Sequence, residues 1–365
     1  MIRKYRHGEI HQVRAEAVYP LIEPGSVRLV ISDGPYAMGK ASWDAMPMRE
    51  LGEWYRPHIA EWGRLCMASA SVYLWGSAES WAAIHPEMLA AGWDFRCLIV
   101  WDKGPGGSVA IKAAPDSLFT FPDITEVCGL YQREAFGSPR GAGTSINYAA
   151  GADDRNWIRL WLASEWSDAG MRNRDADKVL GKNGMAGHYF GASQWSLPTW
   201  DAYERLALHA QTHGPARDRP YFIHPMAKPD ELRASYDHLR AEYDHLRAEY
   251  DLMRCPFRWD GRTTNVWSET PVRGAERLLG ADGGTLHPCQ KPTIFATRQI
   301  ITSTRPGELV LEPFGGTCRV AVACEGLSQA EARRYVCAEP DEDGLDYLGA
   351  VDRQLSGMVR QATLF

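Results

Sequence analysis

Apolar positions in the first third of the chain follow two different periods. Residues 26–32, 70–77 and 95–104 are short, nearly continuous apolar runs, which predict strands buried on both faces. Residues 50–67 and 80–92 carry apolar side chains at helical spacing, and the first of these helices is expected to break at its proline. Strands that alternate with helices indicate a mostly parallel α/β sheet.

This alternation ends in the middle of the chain. One more strand is predicted at 123–134. From about 136 to 225, glycine, serine, asparagine, tryptophan and charged residues follow one another without a clean period. A segment of this length is better explained by an inserted module than by loops.

A heptad repeat follows at residues 231–254. Tyrosine recurs every seven residues and leucine or methionine lies three positions further on, at Tyr236, Leu239, Tyr243, Leu246, Tyr250 and Met253. This spacing predicts a helix with one apolar seam. Because three heptads are marginal for a free coiled coil, the seam is expected to pack on the chain's own body. A homodimer seam is the alternative.

The α/β pattern returns near the carboxyl end of the chain. A helix is predicted at 293–304, a strand at 308–313 and another strand at 333–343, with a glycine loop and a helix between the two strands. The pattern therefore divides the chain into three segments: 1–135, 136–261 with the heptad helix 231–254, and 262–365.

Composition and charge narrow the class of protein. The net charge of −6 over 365 residues argues against a protein that coats nucleic acid by bulk electrostatics. The eight cysteines form no CxxC pair and no zinc spacing, so no metal is expected and a reducing cytosol fits them. The amino terminus has no apolar signal core, and no apolar run approaches about 18 residues. We therefore expect a cytoplasmic protein without a membrane partner.

The first strand ends in an unusual turn, "DGPY". Gly34 and Pro35 stop the strand, which leaves Asp33 and Tyr36 at its carboxyl end. Open α/β sheets bind their ligands at the carboxyl ends of the strands. The two interpretations of this turn are an ordinary strand boundary and a ligand site.

A second candidate site lies in the carboxyl-terminal unit of strand, glycine loop, helix and strand. Gly315 and Gly316 would let the backbone approach a ligand, Glu312 ends the first strand, and Glu339 ends the second, where it could accept bonds from ribose hydroxyls. The loop lacks the lysine of a phosphate-binding P-loop. This pattern predicts a nucleotide-like cofactor other than a nucleoside triphosphate.

Three motifs now stand in one order: "DGPY", "HPCQKP" and "LEPFGG". Together they resemble the amino-group DNA methyltransferases that use S-adenosyl-L-methionine (SAM), in the permuted β group. The usual motifs of that family are (D/N/S)PP(Y/F/W), HPxxKP and DPFxGSG. This chain departs from them at Gly34, Glu312 and Cys318, which replace proline, aspartate and glycine.

The resemblance implies a Rossmann-like methyltransferase sheet, mostly parallel with helices on both faces. It implies a catalytic half at 1–135, an inserted target-recognition region at 136–261 and a cofactor half at 262–365. In the catalytic half, Asp33 and the carbonyl of Gly34 would accept hydrogen bonds from the base amine, Pro35 would fix the turn and Tyr36 would stack on a flipped base. The implied cofactor residues are Lys291, Pro292, Glu312, Phe314, Gly315, Gly316, Thr317 and Glu339.

The implied function is site-specific methylation of double-stranded DNA. Adenine N6 is the preferred target because aspartate leads the catalytic motif, and cytosine N4 is the alternative. A catalytically weak DNA-binding relative and a methyltransferase for RNA or protein are also open. A restriction–modification setting is implied, with no endonuclease identified. The candidate DNA contacts in the middle segment, which could equally form a solvated salt-bridged surface, are Arg140, Arg155, Arg172, Arg174, Lys178 and Lys182.

Overall fold

The chain folds into two compact units in a computed structural model. One unit comprises residues 1–134 and 255–365, and the other comprises residues 135–254. The structure describes residues 1–104, 121–133, 156–191, 195–215, 219–224, 231–253, 255–280, 283–287, 289–340 and 346–362.

A single mixed sheet forms the centre of the first unit. The strands, in the part of the chain that is described, are β1 Ile2–Lys4, β2 Gly8–His11, β3 Val27–Ser32, β4 Cys66–Gly76, β5 Asp94–Asp102, β6 Thr125–Gln132, β7 Val266–Trp267, β8 Leu309–Glu312 and β9 Arg334–Ala338. Their spatial order is β1-β2-β9-β8-β3-β4-β6-β5-β7. Five of the eight neighbouring pairs are parallel, and the antiparallel pairs are β1–β2, β4–β6 and β5–β6. The predicted mostly parallel sheet is confirmed.

Helices cover both faces of this sheet. On one face lie α1 Ala15–Val18, α2 Met48–Leu65 and α3 Ala78–Ala90; on the other lie α9 Thr293–Ser303, α10 Arg319–Glu325 and α11 Tyr347–Ala362. Side chains of strand β3 pack on both faces of the sheet. Val30 packs into the hydrophobic core on the side of α1, α2 and α3, and Leu29 and Ile31 pack into the core on the opposite side. Burial on both faces explains why apolar residues occupy the consecutive positions 29–31 of this strand.

The prediction of a break at Pro57 is wrong. Helix α2 runs through Pro57 without interruption. Tyr55, Ile59 and Trp62 of this helix are almost completely buried against the sheet. Their burial offsets the backbone hydrogen bond that proline cannot make.

The second unit is helical where it is described. Its helices are α4 Trp157–Asp168, α5 Asn173–Leu180, α6 Met185–Phe190, α7 Trp200–His213 and α8 Leu232–Met253. Helix α8 carries the heptad repeat, and Tyr236, Leu239 and Tyr243 are buried in the core of this same unit. These three residues pack as the first interpretation of the seam predicts. The side chains of Tyr250 and Met253 lie outside the described part.

No helix among the described residues combines the length and apolarity needed to cross a bilayer. All eight cysteines are free thiols.

Candidate active site

Neighbouring parallel strands bring the predicted motifs to one edge of the sheet. Strand β3 pairs with β8, with Val30 beside Leu311, so the loops that follow both strands leave the sheet side by side. The chain then continues from β3 to β4 on one side and from β8 to β9 on the other. Such a reversal of strand order is where open α/β sheets form their binding crevice.

Asp44 holds the loop that follows Asp33. Its buried carboxylate accepts hydrogen bonds from the backbone nitrogens of Tyr36 and Ala37 at 2.7 Å, and from those of Met38 and Lys40 at 3.1 Å. One side chain therefore gathers four N–H groups and fixes the start of the loop. The position of Tyr36 depends on this arrangement.

Gly34 is enclosed by two aromatic side chains. A Cβ atom here would lie 2.4 Å from the hydroxyl oxygen of Tyr55 and 2.6 Å from Cδ2 of Phe314. Tyr55 and Phe314 thus fill the space that a side chain at this position would need.

We expect Gly34→Ala to lower the free energy of unfolding by about 1–3 kcal/mol, because the new methyl group overpacks this site. Adding Tyr55→Phe removes the nearest clashing atom and should restore part of the loss. Urea unfolding of the two single variants and the double variant measures this coupling. Strict additivity of the two substitutions would show that the contact with Tyr55 does not restrict position 34.

The ammonium group of Lys291 contacts the carboxylate of Asp33, the candidate catalytic residue. Its ammonium nitrogen is 2.9 and 3.0 Å from the two carboxylate oxygens of Asp33 and 2.8 Å from Oε2 of Glu126. Glu126 also binds Lys103, at 2.6 Å from Oε1. Two carboxylates and two ammonium groups therefore alternate in one network. The hydroxyl of Tyr36 joins it by donating to Oδ1 of Asp33 at 2.6 Å.

Burial and charge oppose each other in this network. Burial alone would lower the pKa of Lys291, but Asp33 and Glu126 outweigh it and raise this pKa above its ordinary value. Burial alone would raise the pKa of Glu126, but Lys291 and Lys103 lower it. Burial, followed by the charge of Asp33, raises the pKa of Tyr36. Lys291 is therefore a fixed cation and Tyr36 a fixed phenol near neutral pH.

Two adjoining clefts open at this edge. We call one the Glu339 cleft; its walls include Trp54, Phe314, Gly316, Glu339 and Tyr347. We call the other the Tyr36 cleft; it has a volume of about 510 Å³, and its walls include Tyr36, Trp75, Trp101, Glu126, Lys291, Pro292, Glu312, Thr317 and Arg319. Both clefts share Asp33, Gly34, Trp43, His287, Phe314 and Gly316. Asp33 and Gly34 therefore stand where two ligands could meet.

The Glu339 cleft fits a nucleoside. Phe314 and Trp54 form an aromatic wall, with ring centroids 5.4 Å apart. Opposite the glycine loop, Glu339 accepts a hydrogen bond from the backbone nitrogen of Gly316 at 2.5 Å. Gly315 has no room for a side chain, because its Cβ would lie 2.9 Å from Sγ of Cys318. An aromatic face, a carboxylate and an open loop are the groups that bind a base and a ribose.

Glu312 lies beneath the glycine loop. Its carboxyl group accepts hydrogen bonds from the backbone nitrogen of Val320 at 3.3 Å and from Sγ of Cys337 at 3.1 Å. Burial raises its pKa to about 8. Cys318, beside it, has a φ of +46°, a left-handed conformation that explains why glycine is usual here. At neutral pH Glu312 is mainly protonated, which suits a buried hydrogen-bonding role.

This pKa predicts a pH dependence of stability. The folded protein retains the proton of Glu312 up to about pH 8, whereas the unfolded chain releases it near the ordinary value of 4.5. Stability should therefore fall as pH rises through this window, by about 3–5 kcal/mol from this group. Glu312→Gln should remove that slope. Urea unfolding at pH 5 and pH 8 checks it, and an equal loss in both proteins would contradict the assignment.

A family model for DNA methylases of the N6 and N4 type matches residues 27–348. The chain belongs to this DNA methylase family. Enzymes of the family methylate DNA with SAM as the methyl donor.

The similarity of this chain to individual proteins is low in sequence identity or in the length that is covered. The type II methyltransferase M.HinfI of Haemophilus influenzae is 30% identical over 82 residues, which is 22% of this chain and 22% of that protein. The chain thus aligns with about a fifth of the length of this relative. The crystal structure of the M1.HpyAVI–SAM complex is 12% identical, with a TM-score of 0.47, and the match covers 95% of this chain and 98% of that one. The cytosine-N4-specific PvuII DNA methyltransferase is 10% identical, with a TM-score of 0.49 and coverage of 98% and 93%.

Several site residues of this DNA methylase were not predicted from the sequence. Glu126 is the second residue of strand β6, whereas the site residues predicted from the sequence lie at the carboxyl ends of strands. Because β6 runs antiparallel to β5, Glu126 pairs with Trp101 and so lies near the carboxyl end of β5. No hairpin signal was available, because 22 residues separate Asp102, the last residue of β5, from Thr125, the first residue of β6. Asp44 and Trp54 had no signal of their own.

The predicted DNA contacts lie in the second unit. Arg172, Arg174 and Lys178 are exposed and surround Asp175, with nitrogen–oxygen distances of 3.8, 4.0 and 3.9 Å. Lys182 is exposed on the turn after α5. Arg140 and Arg155 lie outside the described residues. Asp175 therefore offsets part of the positive charge of this group.

Proposed function

We propose that this chain is a site-specific DNA methyltransferase that modifies the exocyclic amine of a flipped base, with adenine N6 as the preferred target. One observation carries the proposal: Asp33 and Gly34 lie on the shared wall of the Glu339 cleft and the Tyr36 cleft. A methyl donor with its nucleoside in the Glu339 cleft and a base in the Tyr36 cleft would meet at the two hydrogen-bond acceptors of the "DGPY" turn.

SAM would supply an activated methyl group on its sulfonium. We assign the nucleoside end of this cofactor to the Glu339 cleft, where Glu339 would accept from the ribose hydroxyls and Phe314 would contact the adenine. Gly315, Gly316 and Thr317 would line the loop, and the Lys291–Pro292 turn would border the methionine end. Glu312 would support this loop from below through Val320.

Asp33 has one acceptor position left for a base. Among the described residues, its Oδ1 already accepts from Tyr36 and Lys291, whereas Oδ2 accepts from Lys291 alone. A carboxylate oxygen has about two lone-pair positions, so Oδ2 can accept from an amine. We infer that Oδ2 and the carbonyl of Gly34 hold the amine and stabilise the positive charge that develops on its nitrogen.

The Tyr36 cleft suits an extruded base. Its walls include the aromatic side chains of Tyr36, Trp75 and Trp101. Flipped bases are held by stacking on such side chains, and Pro35 would keep the turn rigid. We assign stacking on the base to Tyr36, which the hydrogen bond to Asp33 keeps in place.

The second unit is assigned to target recognition of double-stranded DNA. Arg172, Arg174, Lys178 and Lys182 are among its exposed cations and are proposed to contact phosphates or bases. The description of the relative as a type II methyltransferase supports a restriction–modification role. Such a role requires a protein that works in the cytoplasm, where the DNA of a bacterial cell lies.

Incubation with labelled SAM and unmethylated DNA tests the proposal. Mass spectrometry of the digested nucleosides should find N6-methyladenine. N4-methylcytosine instead would overturn the adenine preference alone. Label in RNA or protein but not in DNA, or binding of DNA without transfer, would overturn the function.

A further inference from the structure

Arg319 is a buried cation directly after the glycine loop. The residue is 5% exposed and lines the Tyr36 cleft together with Gly315, Gly316 and Thr317. The family loop motif ends one position earlier, at Cys318, so the motif assigns Arg319 no role. Burial lowers the pKa of its guanidinium, since the attraction of nearby acids does not compensate for lost hydration.

The partners of Arg319 are all neutral. Its Nε and Nη2 donate to the carbonyl oxygen of Thr317 at 2.9 and 2.5 Å, Nη2 donates to Oε1 of Gln354 at 3.0 Å, and Nη1 donates to Oγ1 of Thr293 at 3.3 Å. A guanidinium has five N–H groups, and four bonds leave one N–H of Nη1 over. Within the described residues, no carboxylate forms an ion pair with Arg319.

Other buried cations of this unit do have carboxylate partners. Arg28 lies 2.8 Å from Glu308, Arg333 lies 2.7 Å from Glu331, and Lys291 is bound by both Asp33 and Glu126. A buried charge without an opposite charge is costly. Arg319 therefore has the properties of a site that an anionic ligand completes.

We propose that Arg319 binds the carboxylate at the amino-acid end of the methyl donor. This inference rests on the proposed function. The Glu339 cleft takes the nucleoside, and Arg319 stands in the adjoining cleft, on the far side of the same glycine loop. The carboxylate is the one anionic group of SAM. Lys291, the other buried cation of the cleft, is already neutralised by two carboxylates, so Arg319 is the better-placed partner.

Calorimetry of the full chain without DNA tests this assignment. The probes are S-adenosylhomocysteine, its decarboxylated analogue, and 5′-methylthioadenosine, which lacks the whole amino acid. The wild-type protein should bind S-adenosylhomocysteine about 10- to 100-fold more tightly than either of the others, as expected for a charged hydrogen-bonded pair. Arg319→Met should abolish this preference and leave the affinity for 5′-methylthioadenosine unchanged.

Two further variants complete the design. Arg319→Lys keeps the charge without the planar fork and should retain part of the preference. Arg298→Met is the matched control, because Arg298 is a partly buried cation on helix α9 that is already paired with Glu269. This control variant should leave the affinities for all three probes unchanged.

Each outcome decides the inference. An equal loss of affinity for all three probes in Arg319→Met would show a structural role and overturn it. A wild-type protein that binds S-adenosylhomocysteine and its decarboxylated analogue equally would also overturn it, while leaving the proposed function intact. A preference for S-adenosylhomocysteine that is unchanged in Arg319→Met would also overturn it and leave the proposed function intact. A wild-type protein that binds no probe would overturn the proposed function itself.

Discussion

We expect Asp33→Ala to lower the rate of methyl transfer by about 10²–10³-fold or more, and to change the affinity for S-adenosylhomocysteine by less than about threefold. The variant loses the acceptor that stabilises the developing charge on the amine, and preorganised groups of this kind contribute that much to rate. The nucleoside end of the cofactor is assigned to Glu339 and Phe314, which the substitution does not touch. Single-turnover transfer and calorimetry measure the two quantities.

Asp123→Ala is the matched control for this experiment. Asp123 also lines the Tyr36 cleft, but its carboxylate accepts from the backbone nitrogen of Thr125 at 2.9 Å and belongs to no ion pair with Lys291. This variant should transfer methyl groups at nearly the wild-type rate. If Asp33→Ala also retains its rate, Asp33 is not the acceptor.

We expect Lys291→Met to lower the free energy of unfolding by about 3–5 kcal/mol. The substitution leaves two carboxylates, Asp33 and Glu126, without the cation between them, and loss of one partner of a buried pair has a cost of this size. Adding Glu126→Gln removes one of the unpaired charges. The double variant should therefore be more stable than the sum of the two single losses predicts, by at least about 1 kcal/mol.

Urea unfolding of the four proteins in this cycle measures the coupling energy. Lys103→Met provides a comparison, because Lys103 contacts the outer oxygen of Glu126 and is more exposed than Lys291. Its loss should be about 1 kcal/mol. Additive losses for Lys291→Met and Glu126→Gln would contradict the network.

The sequence predicted the sheet and the edge that forms the site for a simple reason. Runs such as 26–32 and 308–313 carry apolar residues at consecutive positions because neighbouring strands and two layers of helices cover them. Because β3 and β8 are parallel neighbours, their carboxyl ends lie at the same edge of the sheet. The motifs "DGPY" and "LEPFGG" at these two ends therefore lie together. The direction of β6 was not encoded in its apolar pattern, so the role of Glu126 was missed.

The buried polar partners of the site could not be predicted from local patterns. Asp44 binds four backbone nitrogens that precede it in the chain, and only the folded loop brings them together. Arg319 is one charged residue in a helix, and nothing in its neighbours reveals that it is buried. The sequence also predicted Lys291 near the methionine end, whereas its ammonium lies on Asp33 and Glu126; its part in cofactor binding stays a prediction.

The thiol of Cys255 donates to the carbonyl oxygen of Arg133 at 3.0 Å, and both Cys255 and Arg133 contact the carbonyl oxygen of Ala70. The 121 residues between them therefore leave and rejoin the sheet at a single anchor. Cutting the chain after Arg133 and before Cys255 would separate no strands that are neighbours in the sheet. If the second unit recognises the target, as proposed, exchange of everything between these two residues as one cassette would change the target specificity and leave the machinery for methyl transfer in place.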